Sequence, residues 1–179
     1  LAPVIDGAKA ANPDAFIAWS YPGDTFALTD QAIVQGFAPK AFFTAVATAF
    51  PSYAGRFGAQ AEGVLGMGGV NADDPKFKEF SEAHMALNGQ LPDYWASAAT
   101  YAALEILGQA IEATGSRDRA TVLAYLQDRN NSYETVLGPV NFNENNDNER
   151  YWTVGQWQGG VFKGVMARGR DGAVDVQPK

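Results

Sequence analysis

The stretch from Ala15 to Met67 reads AFIAWSYPGDTFALTDQAIVQGFAPKAFFTAVATAFPSYAGRFGAQAEGVLGM. It contains three apolar runs, at residues 15–19, 41–46 and 63–67, and the segments between them, residues 24–36 and 51–58, have helical patterning. The runs are apolar on both faces of a strand, which is typical of parallel strands covered by helices on both sides. Their starts lie about 25 residues apart, the spacing of βαβ units. The sequence therefore predicts an α/β fold with a doubly wound parallel sheet.

The composition indicates a packed chain with an acidic surface. Of the 179 residues, 46% are hydrophobic and 18% are charged, a balance that supports a core. The formal net charge of -7 disfavours nucleic acid as a partner. Cysteine is absent, which excludes disulfides, thiolate metal sites and a thiol nucleophile. The longest apolar stretch, residues 41–50, is far shorter than the ~20 residues of a membrane helix, so we expect no embedding in a membrane.

The second part of the chain has a different pattern. The polar segment Asn71–Pro75 marks a boundary, and helices are predicted from there to residue 88, over residues 93–114, and from Asp118 onward. A strand over residues 136–142 follows, then a polar turn over residues 143–149. A hairpin is predicted around Gly159 and Gly160, with strands at residues 151–156 and 161–165.

Two motifs match known sites only in part. Residues 66–71 read GMGGVN, so the third glycine of a dinucleotide fingerprint is replaced by Asn71, and Asp73 and Asp74 would repel a pyrophosphate. We interpret this segment as a flexible connection. Oxygen-bearing side chains recur at every second residue from Asn141 to Glu149, but the mid-loop glycine of a calcium loop is missing. The sequence therefore predicts neither a cofactor nor a metal site.

Ser20 follows the first strand, where α/β hydrolases place a nucleophile, but its neighbours lack the glycines of G-x-S-x-G. The only histidine, His84, falls on a helix beyond the boundary among charged neighbours, which favours a surface residue. An α/β hydrolase using Ser20 is therefore the weaker alternative, and no catalytic residue is predicted.

Aromatic residues stand where ligands bind in open α/β sheets. Trp19 and Tyr21 follow the first strand and Phe50 follows the second, so all three lie at the carboxyl edge of the predicted sheet. Tyr94 and Trp95 begin the long helix, whose free N–H groups favour an anion. Position alone leaves open whether these rings contact a ligand or pack between helix and sheet.

In several segments the chain resembles the branched-chain amino-acid family of type I periplasmic solute-binding proteins, the receptors of ABC importers. No single segment is diagnostic, but their order and spacing are fairly specific, and they cover nearly all of this chain and only the C-terminal half of such a protein. The segments are residues 12–19 (NPDAFIAW), 61–66 (AEGVLG), 94–111 with 114–116 (TGS), and 138–142 (GPVNF) leading to 152–157 (WTVGQW).

The resemblance implies an architecture and a role. Residues 1–70 would form the second half of a distal lobe, residues 71–148 would belong to a proximal lobe, and residues 149–179 would return as a hairpin to the distal lobe. Two such lobes close on a small solute by a hinge motion, and the receptor passes the solute to an ABC-transporter permease in the inner membrane. The implied location is periplasmic, with a signal peptide outside this chain. A ligand-sensing domain of the same fold in a signalling system is the alternative.

The resemblance also implies a binding site. Tyr21 matches a cleft tyrosine of the family, and Tyr94 lies in a segment whose aromatic often touches ligand. The residues expected to contact ligand are Trp19, Ser20, Tyr21, Val46, Phe50 and Tyr94.

One departure from the family pattern bears on the ligand. Amino-acid binders carry an acidic residue where this chain has Val46, Ala47 and Thr48, and no carboxylate lies between Phe42 and Phe57. An ammonium buried there without a partner would cost several kcal/mol. We therefore expect a carboxylate that lacks an α-amino group, such as an aromatic acid, unless the missing acid comes from outside this chain.

Overall fold

The structure, a computed structural model, describes residues 1–68, 70, 72, 74–148, 154–166 and 174–179. The helices within these residues are α1 (Ala2–Ala11), α2 (Pro22–Val34), α3 (Pro51–Phe57), α4 (Pro75–Asn88), α5 (Ala96–Thr114) and α6 (Arg119–Leu126). The strands are β1 (Ala15–Ala18), β2 (Ala41–Thr44), β3 (Leu65–Met67), β4 (Tyr133–Thr135), β5 (Gly138–Val140), β6 (Val154–Gln158) and β7 (Val161–Met166). Short 3-10 turns occupy Val46–Ala49 and Gly58–Ala61.

The larger sheet has the strand order β1-β2-β3-β6-β7. Strands β1, β2 and β3 are parallel, and β1 pairs with β2 from Ala15 opposite Ala41 to Ala18 opposite Thr44. The hairpin of β6 and β7 adds antiparallel strands beside β3. This arrangement confirms the predicted α/β fold with a parallel sheet. The hairpin lies close to its prediction, and residues 151–153 of the predicted first strand lie outside the described residues.

Helices α1, α2 and α3 cover one face of this sheet. Its core contains large side chains that are almost completely buried, and Phe16 of β1 stacks on Phe42 with ring centroids 5.2 Å apart. The members with the largest rings are Phe37, Phe42, Tyr53, Phe57, Trp157 and Phe162. On the opposite face, Ile17 is 64% exposed. We call this sheet with α1–α3 the sheet unit.

Two details differ from the sequence-based expectation in this unit. Helix α1 was not predicted, because Ile5 is its only buried residue and one buried position creates no periodic pattern. Helix α2 begins at Pro22, two residues before the helical pattern of residues 24–36, so Asp24 lies in its first turn and does not cap the helix. Tyr21 is the N-cap residue, with extended backbone, and proline fits the first helical position.

Helices α4, α5 and α6 pack with the two-stranded sheet of β4 and β5, and we call this group the helical unit. Asp74 caps α4 by accepting hydrogen bonds from the amides of Lys76 and Phe77. Of the strand predicted over residues 136–142, only β5 at residues 138–140 forms. Strand β4 precedes it, and the chain reverses at residues 136 and 137, after which Gly138 takes a positive φ of 88°.

The boundaries between the predicted lobes fall beside residues 69, 71, 73 and 149, which lie outside the described residues, and the division of the chain into lobes stays a prediction. No helix among the described residues has both the length and the apolar character needed to cross a membrane.

Candidate ligand-binding site

The carboxyl end of β1 presents two of the predicted aromatic residues to solvent. Trp19 and Tyr21 are 77% and 80% exposed, so they do not pack between helix and sheet. The Trp19 ring meets the edge of Phe43 with centroids 5.5 Å apart. Ser20, between the two rings, is only 7% exposed. This edge therefore offers two accessible rings on either side of an inward-facing hydroxyl.

The Ser20 hydroxyl is engaged within the protein. Its oxygen lies 2.8 Å from the Thr25 hydroxyl oxygen, and Thr25 donates a hydrogen bond of 2.7 Å to the carbonyl of Ala45. Because a hydroxyl has one proton and Thr25 gives its proton to Ala45, Ser20 must be the donor to Thr25. The ring of His84 lies elsewhere, on α4, with Nδ1 2.8 Å from the carbonyl oxygen of Gln90. This arrangement gives no support to a hydrolase that uses Ser20.

The segment after β2 has a strained start that several bonds hold in place. Val46 takes a φ of 51°, which is unusual for a β-branched residue and costs of order 1–3 kcal/mol. Thr48 donates to the carbonyl of Thr44 at 2.8 Å, and the Thr44 hydroxyl in turn donates to Thr48 at 2.6 Å. The indole N–H of Trp157 on β6 donates to the carbonyl of Thr48 at 2.8 Å. Val46 is half-buried and the turn beneath it is fixed to the sheet.

A close approach of strand β3 also shapes this segment. A Cβ added to Gly66 would lie 2.6 Å from the Thr48 Cβ, so a glycine is needed for β3 to pass under the turn. A Cβ on Gly68, which has a φ of 139°, would lie 2.9 Å from the Ala49 Cβ. The glycines at 66 and 68 thus make room for residues 48 and 49, while Gly69, Asn71 and Asp73 of the predicted flexible connection lie outside the described residues.

Tyr53 lies one layer deeper and completes a network of buried hydroxyls. Its oxygen is 2.8 Å from that of Thr29, and Thr29 donates to the carbonyl of Thr25, so Tyr53 is the donor to Thr29. Burial raises the pKa of Tyr53 to about 12, despite the hydrogen bond to Thr29, and keeps the phenol neutral. The wall behind the site is therefore built from uncharged hydroxyls and apolar groups.

Sequence reasoning missed this hydroxyl network. A signal for it is present, because the threonines occur as pairs four residues apart, Thr25 with Thr29 and Thr44 with Thr48. Such pairs place two hydroxyls on one helical face. The helix α2 pair does so directly, and the second pair is brought together by the turn at Val46–Ala49.

Tyr94 connects the sheet unit to the helical unit. Its amide donates to the carbonyl of Ala49 at 2.9 Å. Its ring stacks on Phe162 at 5.8 Å with an interplanar angle of 10°, and it also lies 5.7 Å from Phe77 of α4. Burial raises the pKa of Tyr94. Tyr94 is thus half-buried at the junction of the two units, next to the turn that carries Val46.

One further expectation about this region changes. The first turn of α5, which begins at Ala96, is not available to a ligand anion, because the Asp93 carboxylate accepts from the amides of Trp95, Ala96 and Ser97. The prediction of a free anion site at Tyr94 and Trp95 is therefore wrong.

Phe50, which follows β2, is half-buried. It is the N-cap of α3, where its carbonyl accepts from the Tyr53 amide at 2.9 Å.

In the part of the chain that the structure describes, no group of three His, Asp or Glu side chains is placed to hold a metal ion. The asparagine-rich turn after β5 closes on itself, since the Asn143 side-chain oxygen accepts from the amides of Asn145 and Asp147, both at 2.9 Å. Glu149 of the same turn lies outside the described residues.

The family model for periplasmic binding proteins matches residues 1–161. Among solved structures, a leucine binding protein from Thermotoga maritima is 24% identical with a TM-score of 0.71, over 90% of this chain and 46% of that one. A branched-chain amino acid substrate binding protein from Streptococcus pneumoniae, in complex with isoleucine, is 16% identical with a TM-score of 0.71, over 99% of this chain and 48% of that one. A solute binding protein of an ABC transporter from R. palustris, in complex with benzoate, is 13% identical with a TM-score of 0.70, over 98% and 48%.

These likenesses, all under 25% identity, show a shared fold, and this chain spans about half the length of those structures. No curated protein sequence matches the chain significantly. The family match nevertheless extends over both units described above, from α1 to the start of β7. The chain therefore belongs to the periplasmic binding protein family.

Proposed function

We propose that this chain is part of the solute-binding receptor of an ABC importer and that it captures a small carboxylate between two lobes by hinge closure. One observation carries the proposal: Trp19 and Tyr21 stand exposed at the carboxyl edge of parallel strands, on a support of fully bonded hydroxyls. Two accessible rings at this edge, where open α/β sheets bind their ligands, offer apolar contact area to a solute. The family membership supports binding, and two of the solved structures named above are in complex with isoleucine and with benzoate.

The mechanism is binding alone. Exposed rings supply apolar area to a ligand, the buried hydroxyls of Ser20 and Thr25 fix the position of the rings, and closure of a facing surface removes water from the ligand. Tyr94 supports a pivot near the site, because its amide bonds the turn after β2 while its ring packs against both units. Because the Tyr94 amide bonds Ala49, at the end of the turn that begins at Val46, a movement at this junction would displace Val46 as well.

The ligand we propose is a carboxylate without an α-amino group. Residues 31–61 contain no Asp or Glu, and the Thr48 hydroxyl of the turn is already bonded to Thr44 of β2. An ammonium closed against this wall would have no counter-charge there, whereas the apolar part of an acid without an amino group needs none. The carboxylate of such an acid would take its donors from outside this wall. Among the relatives, complexes with isoleucine and with benzoate both occur, so the fold accepts either class.

The proposed partner is a membrane permease, and the proposed location is the periplasm, as for a receptor that delivers a solute to an importer. We propose no cofactor and no catalytic residue. The sensor alternative keeps the same binding site and differs only in the protein that reads the closed state.

A thermal-shift panel on the natural protein that contains this chain tests the ligand class. The panel consists of L-leucine, L-isoleucine, L-glutamate, benzoate and short aliphatic acids. A ligand that binds only the folded state raises the melting temperature by mass action. We expect benzoate or an aliphatic acid to give the largest rise. A rise with leucine or isoleucine and none with the simple acids would contradict the ligand class, and Asp24 in the first turn of α2 would then be the first ammonium partner to test.

A further inference from the structure

The two loops that carry the candidate ligand contacts meet at one buried side chain, Thr25, which is fully buried. Its hydroxyl accepts from Ser20 at 2.8 Å and donates to the carbonyl of Ala45 at 2.7 Å. Its amide donates to the carbonyl of Tyr21 at 2.8 Å. Thr25 therefore holds the loop after β1 through two residues and the loop after β2 through one.

The bond to Ala45 acts where the backbone is least relaxed. Ala45 directly precedes Val46, whose φ of 51° is the only positive value taken by a described β-branched residue. Residues in such conformations keep them only when surrounding contacts leave no alternative. The other hydrogen bond described for Ala45 runs from its amide to the carbonyl of Ala18 at 3.0 Å, so Thr25 fixes the carbonyl side of the peptide that leads into Val46.

We propose that Thr25 is a positioning residue that sets ligand selectivity by fixing the separation between the Trp19–Tyr21 loop and the Val46 turn. It does not touch the ligand, because its side chain has no solvent exposure. This inference rests on the proposed function. A small shift of one loop against the other changes the width of the gap that a ligand must fill, and the width discriminates between solutes of different shape.

The chain offers a matched control. Thr29 lies one turn further along α2, is also buried, and has a hydroxyl that bonds the Thr25 carbonyl and Tyr53 but neither loop. Thr25→Val and Thr29→Val make the same isosteric change in the same helix. Thr25→Ser keeps the hydroxyl and removes only a methyl group. Any effect of losing a buried hydroxyl as such is therefore common to both valine variants.

The first arm of the test needs no ligand and uses hydrogen exchange in the natural protein. We expect the amides of residues 45–49 to exchange about tenfold faster in Thr25→Val, the scale of one lost buried hydrogen bond, and to be unchanged in Thr29→Val and Thr25→Ser. Unchanged exchange at residues 45–49 in Thr25→Val would overturn the proposal.

The second arm measures the affinities for L-isoleucine and benzoate by calorimetry. We expect Thr25→Val to change the ratio of the two Kd values by about tenfold, with Thr29→Val and Thr25→Ser close to the wild-type ratio. An unchanged ratio in Thr25→Val would overturn the role in selectivity even if both affinities fell. If the wild-type protein bound no probe in this arm or in the thermal-shift panel, the proposed function would fail, and the exchange arm would decide alone whether Thr25 places the loop.

Discussion

Replacing Tyr21 by alanine tests whether the exposed rings contact a ligand. The ring is 80% exposed in the structure, and a tyrosine that becomes buried removes roughly 150 Å² or more from water. Burying four fifths of that area would contribute about 3 kcal/mol at about 25 cal/mol per Å². A ligand covers one face of a ring and leaves the other to the closing surface, so we expect a loss of about 1–3 kcal/mol, or about 5- to 150-fold in Kd.

The folded state should barely change in this variant. Tyr21 is the N-cap of α2 but makes no side-chain cap bond, and substitutions at exposed positions usually change the free energy of unfolding by less than about 0.5 kcal/mol. The matched control is Val34→Ala, because Val34 is 78% exposed at the other end of the same helix and away from the carboxyl edge.

The assay is a calorimetric titration of both variants with the most stabilising compound of the thermal-shift panel, together with their melting temperatures. We expect Tyr21→Ala to bind more weakly and Val34→Ala to bind as the wild-type protein does, with the melting temperatures of both variants unchanged. Equal affinity of Tyr21→Ala and the wild-type protein would remove Tyr21 from the site. An equal loss in Val34→Ala would show that the effect is not local to the rings.

Three further variants test the support of the site. Gly66→Ala should destabilise the fold by about 1–3 kcal/mol in a denaturant titration, because its Cβ would meet Thr48 at 2.6 Å, whereas Gly7→Ala, with open space around it, should not. Tyr53 has a pKa raised by burial to about 12, so its neutral form stabilises the fold below about pH 10 and that contribution, of order 3 kcal/mol, is lost as the pH rises toward 12. Tyr53→Phe should therefore flatten the fall in unfolding free energy between pH 10 and 12, and an unaltered fall would contradict this. Asp93→Ala should cost about 0.5–2 kcal/mol of unfolding free energy, since three amides at the start of α5 lose their acceptor.

The parallel strands could be predicted from the sequence because their apolar character is continuous. A layer of helices on the sheet is enough to bury Phe16, Phe42 and Val64. The lengths of the intervening segments also allow few topologies. The hairpin of β4 and β5 could not be predicted, because its strands have three residues each and include the exposed Glu134 and Pro139. Short strands with exposed residues carry too little pattern to separate from a loop.

The site was predictable in outline and not in detail. Because Trp19 and Tyr21 follow the first strand, the sequence predicts them at the carboxyl edge of the sheet, and both are exposed there. The role of Thr25 depends on which acceptor its hydroxyl reaches twenty residues away, at Ala45, and only the packed structure determines that. The anion site expected at the start of α5 failed for a local reason, because Asp93 already supplies the negative charge. Ligand contact by Val46, Phe50 and Tyr94 stays a prediction.

Whether the protein captures a small carboxylate at this edge can be measured by native mass spectrometry of the natural protein after incubation with the small-molecule fraction of its own cells. We expect one added mass per chain, released on denaturation and identified as a small carboxylate. We also expect Tyr21→Ala to weaken the binding of this compound. A protein that gains no small-molecule mass under these conditions, or gains one that Tyr21→Ala retains with the same affinity, would contradict a solute receptor built on this edge of the sheet.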